Sequence, residues 1–229
     1  MKSNMTTDLT NGTQDGFNLI EMAIVLMILG VLLGGLLTPL STQFDNSRRA
    51  GATATLSDVH DALLGFAAAN GRLPCPATAA SNGLAAPNSA TTTCTGNHGF
   101  VPTRTLGING SVDNNTLLLD PWLNPIRYSV SNAGGGAYTN DITLGLTPDF
   151  VICQESACTN ILEDNVVAVL VVQAKDQNNS GDQLENGDGD AIFVSRDPSE
   201  AAGAEFDDQL RWLSPALLSY HMVRAGQVE

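Results

Sequence analysis

The chain has 229 residues, 43% of them hydrophobic and 15% charged, with a formal net charge of −14 at pH 7. That length allows one hydrophobic core of ordinary size, and one globular domain is the better expectation than two. Ten Lys and Arg against 24 Asp and Glu leave no basic surplus for phosphates, so nucleic acid is not expected as a partner, and an acidic, solvated surface outside the cytoplasm is the simpler reading.

Residues 17–40 run 24 positions with one ionisable side chain, Glu21. At about 1.5 Å per residue a helix of that length crosses the ~30 Å hydrocarbon core of a bilayer, so the segment is expected to be transmembrane. An unpaired Glu21 near the bilayer centre would cost up to about 2.5–3.5 kcal/mol, so a cation should meet it. Gly30, Gly34, Gly35 and Pro39 weaken helix propensity towards the end of the segment, and Pro39 should kink or locally break it. An apolar, glycine-rich span is also compatible with a simple dimerising anchor. Beyond it, Leu40, Phe44, Leu56, Val59, Leu63 and Phe66 keep helical spacing among Asp45, Arg48, Arg49, Asp58 and Asp61, which predicts an amphipathic continuation over residues 41–70.

The run Gly16-Phe17-Asn18-Leu19-Ile20-Glu21 resembles the processing site of type IV pilins and type II secretion pseudopilins. In that family a membrane aspartic peptidase, the prepilin peptidase, cuts after the glycine and methylates the new amino terminus. The resemblance therefore implies cleavage between Gly16 and Phe17, N-methylation of Phe17, and a Glu21 carboxylate that pairs with the amine of a neighbouring subunit during assembly. Residues 1–16 are then a leader, although Lys2 stands against Asp8 and Asp15 where pilin leaders are basic. Arg48 and Arg49 set the positive-inside rule against a periplasmic C-terminal part; the cleavage motif and the cysteines outweigh it.

After Gly71 turn residues crowd in, and residues 71–229 are expected to form a globular head. Its four cysteines fall as Cys75 with Cys94 and Cys153 with Cys158, which in an oxidising compartment reads as two disulfides closing local loops. Four cysteines allow three connectivities and the sequence does not choose among them; a four-thiolate zinc site is the rival, against which the spacing lacks paired C-x-x-C knuckles. The run Asp120-Pro121-Trp122-Leu123-Asn124-Pro125-Ile126-Arg127-Tyr128 is similar to the Asp-x-Trp-Gly-Asn run that opens the sheet of pilin heads, with Leu123 in place of the glycine. It implies a first strand over residues 126–131 with Trp122 as a core anchor. Further strands are predicted at residues 150–153, 166–173, 191–196 and 205–213. Ser214-Pro215 then gives an N-cap and first-turn proline for a final helix over residues 216–225. The run from Phe206-Asp207-Asp208 to Ser214-Pro215 also resembles the C-terminal segment of minor pilin-like proteins.

The loop from Asp176 to Asp190 carries the one hint of a ligand. Asp176, Asn178 and Asp182 follow the oxygen spacing of the first half of an EF-hand loop, but Gly187 stands where the bidentate glutamate belongs. Glu185, Asp188 and Asp190 could converge with them on calcium, as in some pseudopilin heads; a solvated polar loop is the plainer alternative, and no helices are expected beside it. His60, His98 and His221 are scattered, and neither a nucleophile elbow nor a phosphate loop is present, so no enzyme is expected. Asp207-Asp208, adjacent on a strand, would point to opposite faces.

The expected fold is α+β and type IV pilin-like: a long N-terminal helix, transmembrane then amphipathic, packed on an antiparallel sheet, with a short C-terminal helix. The expected protein is a single-pass inner-membrane protein with a periplasmic head, later part of a pilus or pseudopilus filament. Its expected partners are other pilin or pseudopilin subunits, prepilin peptidase and the inner-membrane assembly platform. The alternative is a membrane-anchored adhesion or cargo-binding module, with calcium as a candidate cofactor.

Overall fold

The computed structural model describes Gly16, residues 18–89, 93–175, Gln177 and residues 181–228, with the side chains of residues 34–41 left aside. The chain divides into two compact units, Met1–Asn46 and Ser47–Glu229. Helix α1, Leu19–Asn70, contributes its first part to one and its last part to the other.

In the first unit α1 starts behind Asn18, whose carbonyl accepts from Glu21 N at 2.9 Å and Met22 N at 3.2 Å. The helix continues through Pro39 without a break. The expected membrane span is corrected here: among the described residues, no helix is long and apolar enough to cross a membrane. The single-pass inner-membrane placement falls with the span.

The second unit is α+β with two sheets rather than the one antiparallel sheet expected. Strands β1 (His98–Phe100), β2 (Arg127–Val130), β5 (Ala168–Val172) and β7 (Gln209–Leu213) form an antiparallel sheet in the order β1-β2-β5-β7. Strands β3 (Phe150–Cys153), β4 (Ile161–Val166) and β6 (Ile192–Val194) form a second, in the order β4-β3-β6, where β3 and β6 run parallel. Short helices α2 (Thr103–Leu106), α3 (Ala133–Asn140) and α4 (Gly181–Asp188) lie between strands, and α5 (Pro215–Arg224) closes the chain. The parallel pair arises because α4 sits in the connection that carries the chain back to β6 (Ile192–Val194), where a tight turn would have forced antiparallel pairing.

Strand β5 explains the layering. Ala168, Leu170 and Val172 join a core with Ala52, Leu56, Val59, Leu63, Leu64 and Ala67 of α1, while Val169 and Val171 join a second core with Phe150, Ile152, Val166 and Phe193. The antiparallel sheet is thus covered on both faces, which is why β5 reads as an uninterrupted apolar run. The α1 positions recur at three- and four-residue spacing, one helical stripe. Tyr128, fully buried on β2, donates its hydroxyl to Pro74 O at 3.1 Å and so ties the Leu73-Pro74-Cys75 run to the sheet. Burial alone drives its phenol pKa well above the ordinary range.

Trp122 is half-buried and packs on the rim of the main core, not at its centre, so it is less of an anchor than the sequence motif implies. Its loop is organised by Asp120, buried, whose Oδ1 accepts from Trp122 N at 2.8 Å and Asn124 N at 2.9 Å. Leu123, where the resembled motif has glycine, takes φ +70° and leaves its side chain 72% exposed. Helix α5 has Ser214 as N-cap, with its Oγ accepting from Leu217 N at 3.4 Å, and buries Leu218 and Met222 one turn apart.

Candidate functional site

Two places carry the residues singled out from sequence. At the start of the described chain Gly16 is exposed, and Phe17, the residue expected to be methylated, lies outside the described residues. Glu21 sits in the first turn of α1, where the helix dipole favours a carboxylate. It is exposed, and among the described residues no basic group pairs with it. Around it stands an apolar surface: Leu19 is 86% exposed, Met27 72% and even Val25 45%.

The four cysteines form two disulfides, Cys75–Cys94 with Cα atoms 5.4 Å apart and Cys153–Cys158 at 5.1 Å. Sequence-local pairing is therefore the connectivity, and no thiolates are left for a zinc site.

The second place is the segment expected to be a calcium loop. Asp176 and Asn178 lie outside the described residues; Asp182, Glu185 and Asp188 fall on α4 and Asp190 just after it. The segment closes into a helix because two of its polar side chains are buried and anchored: Gln183 donates to Asp207 Oδ1 at 2.9 Å, and Asn186 donates to Asp208 Oδ2 at 2.8 Å. One turn apart on α4, they face the two adjacent aspartates, which therefore grip one element rather than working as separate sites on opposite faces. Asn186 also accepts from Val194 N at 2.8 Å and donates to Val194 O at 3.0 Å, so its amide stands in for a neighbouring strand along β6. Asp207 Oδ2 in turn accepts from Lys175 N at 3.1 Å.

Glu185, Asp188 and Asp190 do come together, with one oxygen of each within 4.8 Å of the others. Burial first, then the like charges of Asp190, Asp188 and Asp182, push the Glu185 pKa up. Asp182 is turned elsewhere: its Oδ2 lies 3.1 Å from Arg196 Nε and its Oδ1 accepts from Ser156 N at 2.9 Å. Asp188 Oδ1 and Asp190 Oδ1 accept from Asp190 N and Ile192 N. Arg127, which donates to Gly187 O at 3.1 Å, places a competing positive charge beside them. Of the six residues expected around calcium, four are described, and three of these, Glu185, Asp188 and Asp190, converge.

Sequence reasoning missed His98. Its Nδ1 lies 3.0 Å from Ser129 Oγ, and its ring packs 5.5 Å from that of Phe150 and 6.3 Å from that of Phe193, joining β1 to the second sheet. Burial above all, then Arg127, lowers its pKa against the pull of Asp190, Asp188 and Asp149. No spacing in the chain could have shown this, because the contacts come from three separate strands.

Comparison with protein-family models, with curated proteins and with solved structures returned no match for this chain.

Proposed function

We propose that the chain is a structural subunit, minor rather than major, of a type IV pilus or type II secretion pseudopilus. In this reading it is cut between Gly16 and Phe17, N-methylated at Phe17 and assembled through its apolar N-terminal helix. The observation that carries the proposal is the surface of residues 19–33: twelve large apolar side chains exposed all round one helix. Isolated proteins rarely leave so large an apolar area open, and a helix apolar on every side needs several neighbours rather than one groove. Like helices from adjacent subunits supply them. Once that surface closes, Glu21 is the one carboxylate inside it, and the freed amine of a neighbour's Phe17 is a cation of matching charge in a low-dielectric setting. The likeness of the Phe206-to-Pro215 segment to minor pilin-like proteins favours a minor role. The partners are then other pilin or pseudopilin subunits, prepilin peptidase and the inner-membrane assembly platform.

Mass spectrometry of sheared filaments tests this directly: the mature chain should begin with N-methylated Phe17 and be scarce relative to the main subunit. Glu21→Val should leave cleavage intact and abolish incorporation. A mature chain that begins at Met1, or a Glu21→Val chain incorporated like the wild type, overturns the reading.

A further inference from the structure

A cleft of about 240 Å³ opens between α1 and β7, with Thr53, Arg196, Asp208, Gln209 and Arg211 on its walls. Alternation along β7 puts Gln209 and Arg211 on one face of the strand, the face turned to α1. Arg196 is already engaged: its Nε lies 3.1 Å from Asp182 Oδ2, its Nη2 donates to Ala204 O at 3.2 Å, and its guanidinium stacks 4.9 Å over Phe206. Arg211 is not. Among the described residues no carboxylate lies within ion-pair reach of it, and its Nε is buried without an acceptor. Gln209 closes the wall beside it: Thr53 Oγ1, whose single hydrogen serves Arg49 O at 3.1 Å, lies 3.0 Å from the Gln209 side-chain amide.

In a chain with a net charge of −14, an uncompensated guanidinium whose Nε is buried without an acceptor is unusual, since carboxylates are plentiful. We propose that this cleft binds a carboxylate, held by the Arg211 guanidinium fork. A planar group with two oxygens matches that fork. The single charge matters too. Asp208 also lines the cleft, so a dianionic phosphate would face a like charge with, among the described residues that line it, Arg211 alone to offset it. The site lies wholly among residues 53–211 and stands or falls independently of the filament reading.

The test uses the full ¹⁵N-labelled chain in a mild detergent, titrated with sodium acetate at constant ionic strength while the Arg211 Nε–H resonance is followed by NMR. The expected result is a saturating shift in the millimolar range that sodium chloride does not reproduce. Backbone shifts around the cleft should show acetate binding at least tenfold weaker in Arg211→Gln and unchanged in Arg224→Gln, whose parent side chain stacks on Tyr220 on α5. If Arg211→Gln does not fold, Arg211→Lys keeps the charge and loses the fork, and it should bind several-fold more weakly. A shift that does not saturate, one matched by chloride, saturation by phosphate but not acetate, or undiminished binding in the Arg211 variants would overturn the proposal.

Discussion

Replacing Asn186 by alanine removes three hydrogen bonds from the buried seam between α4 and β6. Two are to the Val194 backbone, at 2.8 and 3.0 Å, and one is to the Asp208 carboxylate at 2.8 Å. At about 1 kcal/mol for each neutral bond and about 1.5–3 kcal/mol for the bond to a charged group, the direct loss is about 3.5–5 kcal/mol. Water entering the vacated space recovers part of it, so about 3–4 kcal/mol is expected. For a unit of this size that corresponds to a Tm roughly 6–16 °C lower. Urea unfolding of the full chain in detergent, followed by circular dichroism, should show a lower midpoint with an unchanged slope. Asn186→Asp is the sharper variant, since it keeps the size and the acceptor for Val194 N but brings a second carboxylate against Asp208. It should lose at least as much at neutral pH and recover in part on acidification. A loss below about 1 kcal/mol in both variants would refute the claim that this amide holds α4 against β6.

Three other expectations follow from single sites. Leu123 sits at φ +70° with an exposed side chain, so Leu123→Gly relieves a left-handed strain of about 1–2 kcal/mol and should raise Tm by a few degrees after the entropy cost of glycine; a fall in Tm would contradict it. The His98 pKa is held below its ordinary 6.5, so the unfolded chain takes up the proton first: the contribution is complete above about pH 6.5 and is lost as pH falls from there through the folded value. Between about pH 7 and pH 5.5, Tm should therefore fall less in His98→Gln than in wild type, and parallel slopes would disprove the assignment. Loop closure predicts a cost of about 3 kcal/mol for replacing Cys75 and Cys94 together by serine, whose separation is 19, and about 2 kcal/mol for Cys153 and Cys158, whose separation is 5. Denaturant midpoints of the two double variants should fall in that order.

Local patterns in the chain suffice for some of this protein. Helical spacing from Leu56 to Ala67 marks the α1 stripe, Ser214-Pro215 starts α5, Phe150–Cys153 is a strand by composition, and the Gly16-to-Glu21 run stands in the sequence whatever the head does. Other elements have no local signature. Ile161–Val166 carries Glu163, Asp164 and Asn165 and looks like a loop, yet pairing with β3 makes it a strand. Gly181–Asp188 looks like a metal loop, yet Gln183 and Asn186 find buried carboxylates and fold it as a helix. Cysteine count permits three connectivities, and only backbone approach selects Cys75–Cys94 and Cys153–Cys158. Apolar runs announce that β5 is buried, but not that its two faces belong to different cores; that division depends on a second sheet made of strands distant in sequence. Periodicity reports which side of an element avoids water, whereas the partner on that side, and hence whether polar groups such as Asp207, Asp208 and His98 are satisfied, is decided by contacts the chain makes only when folded.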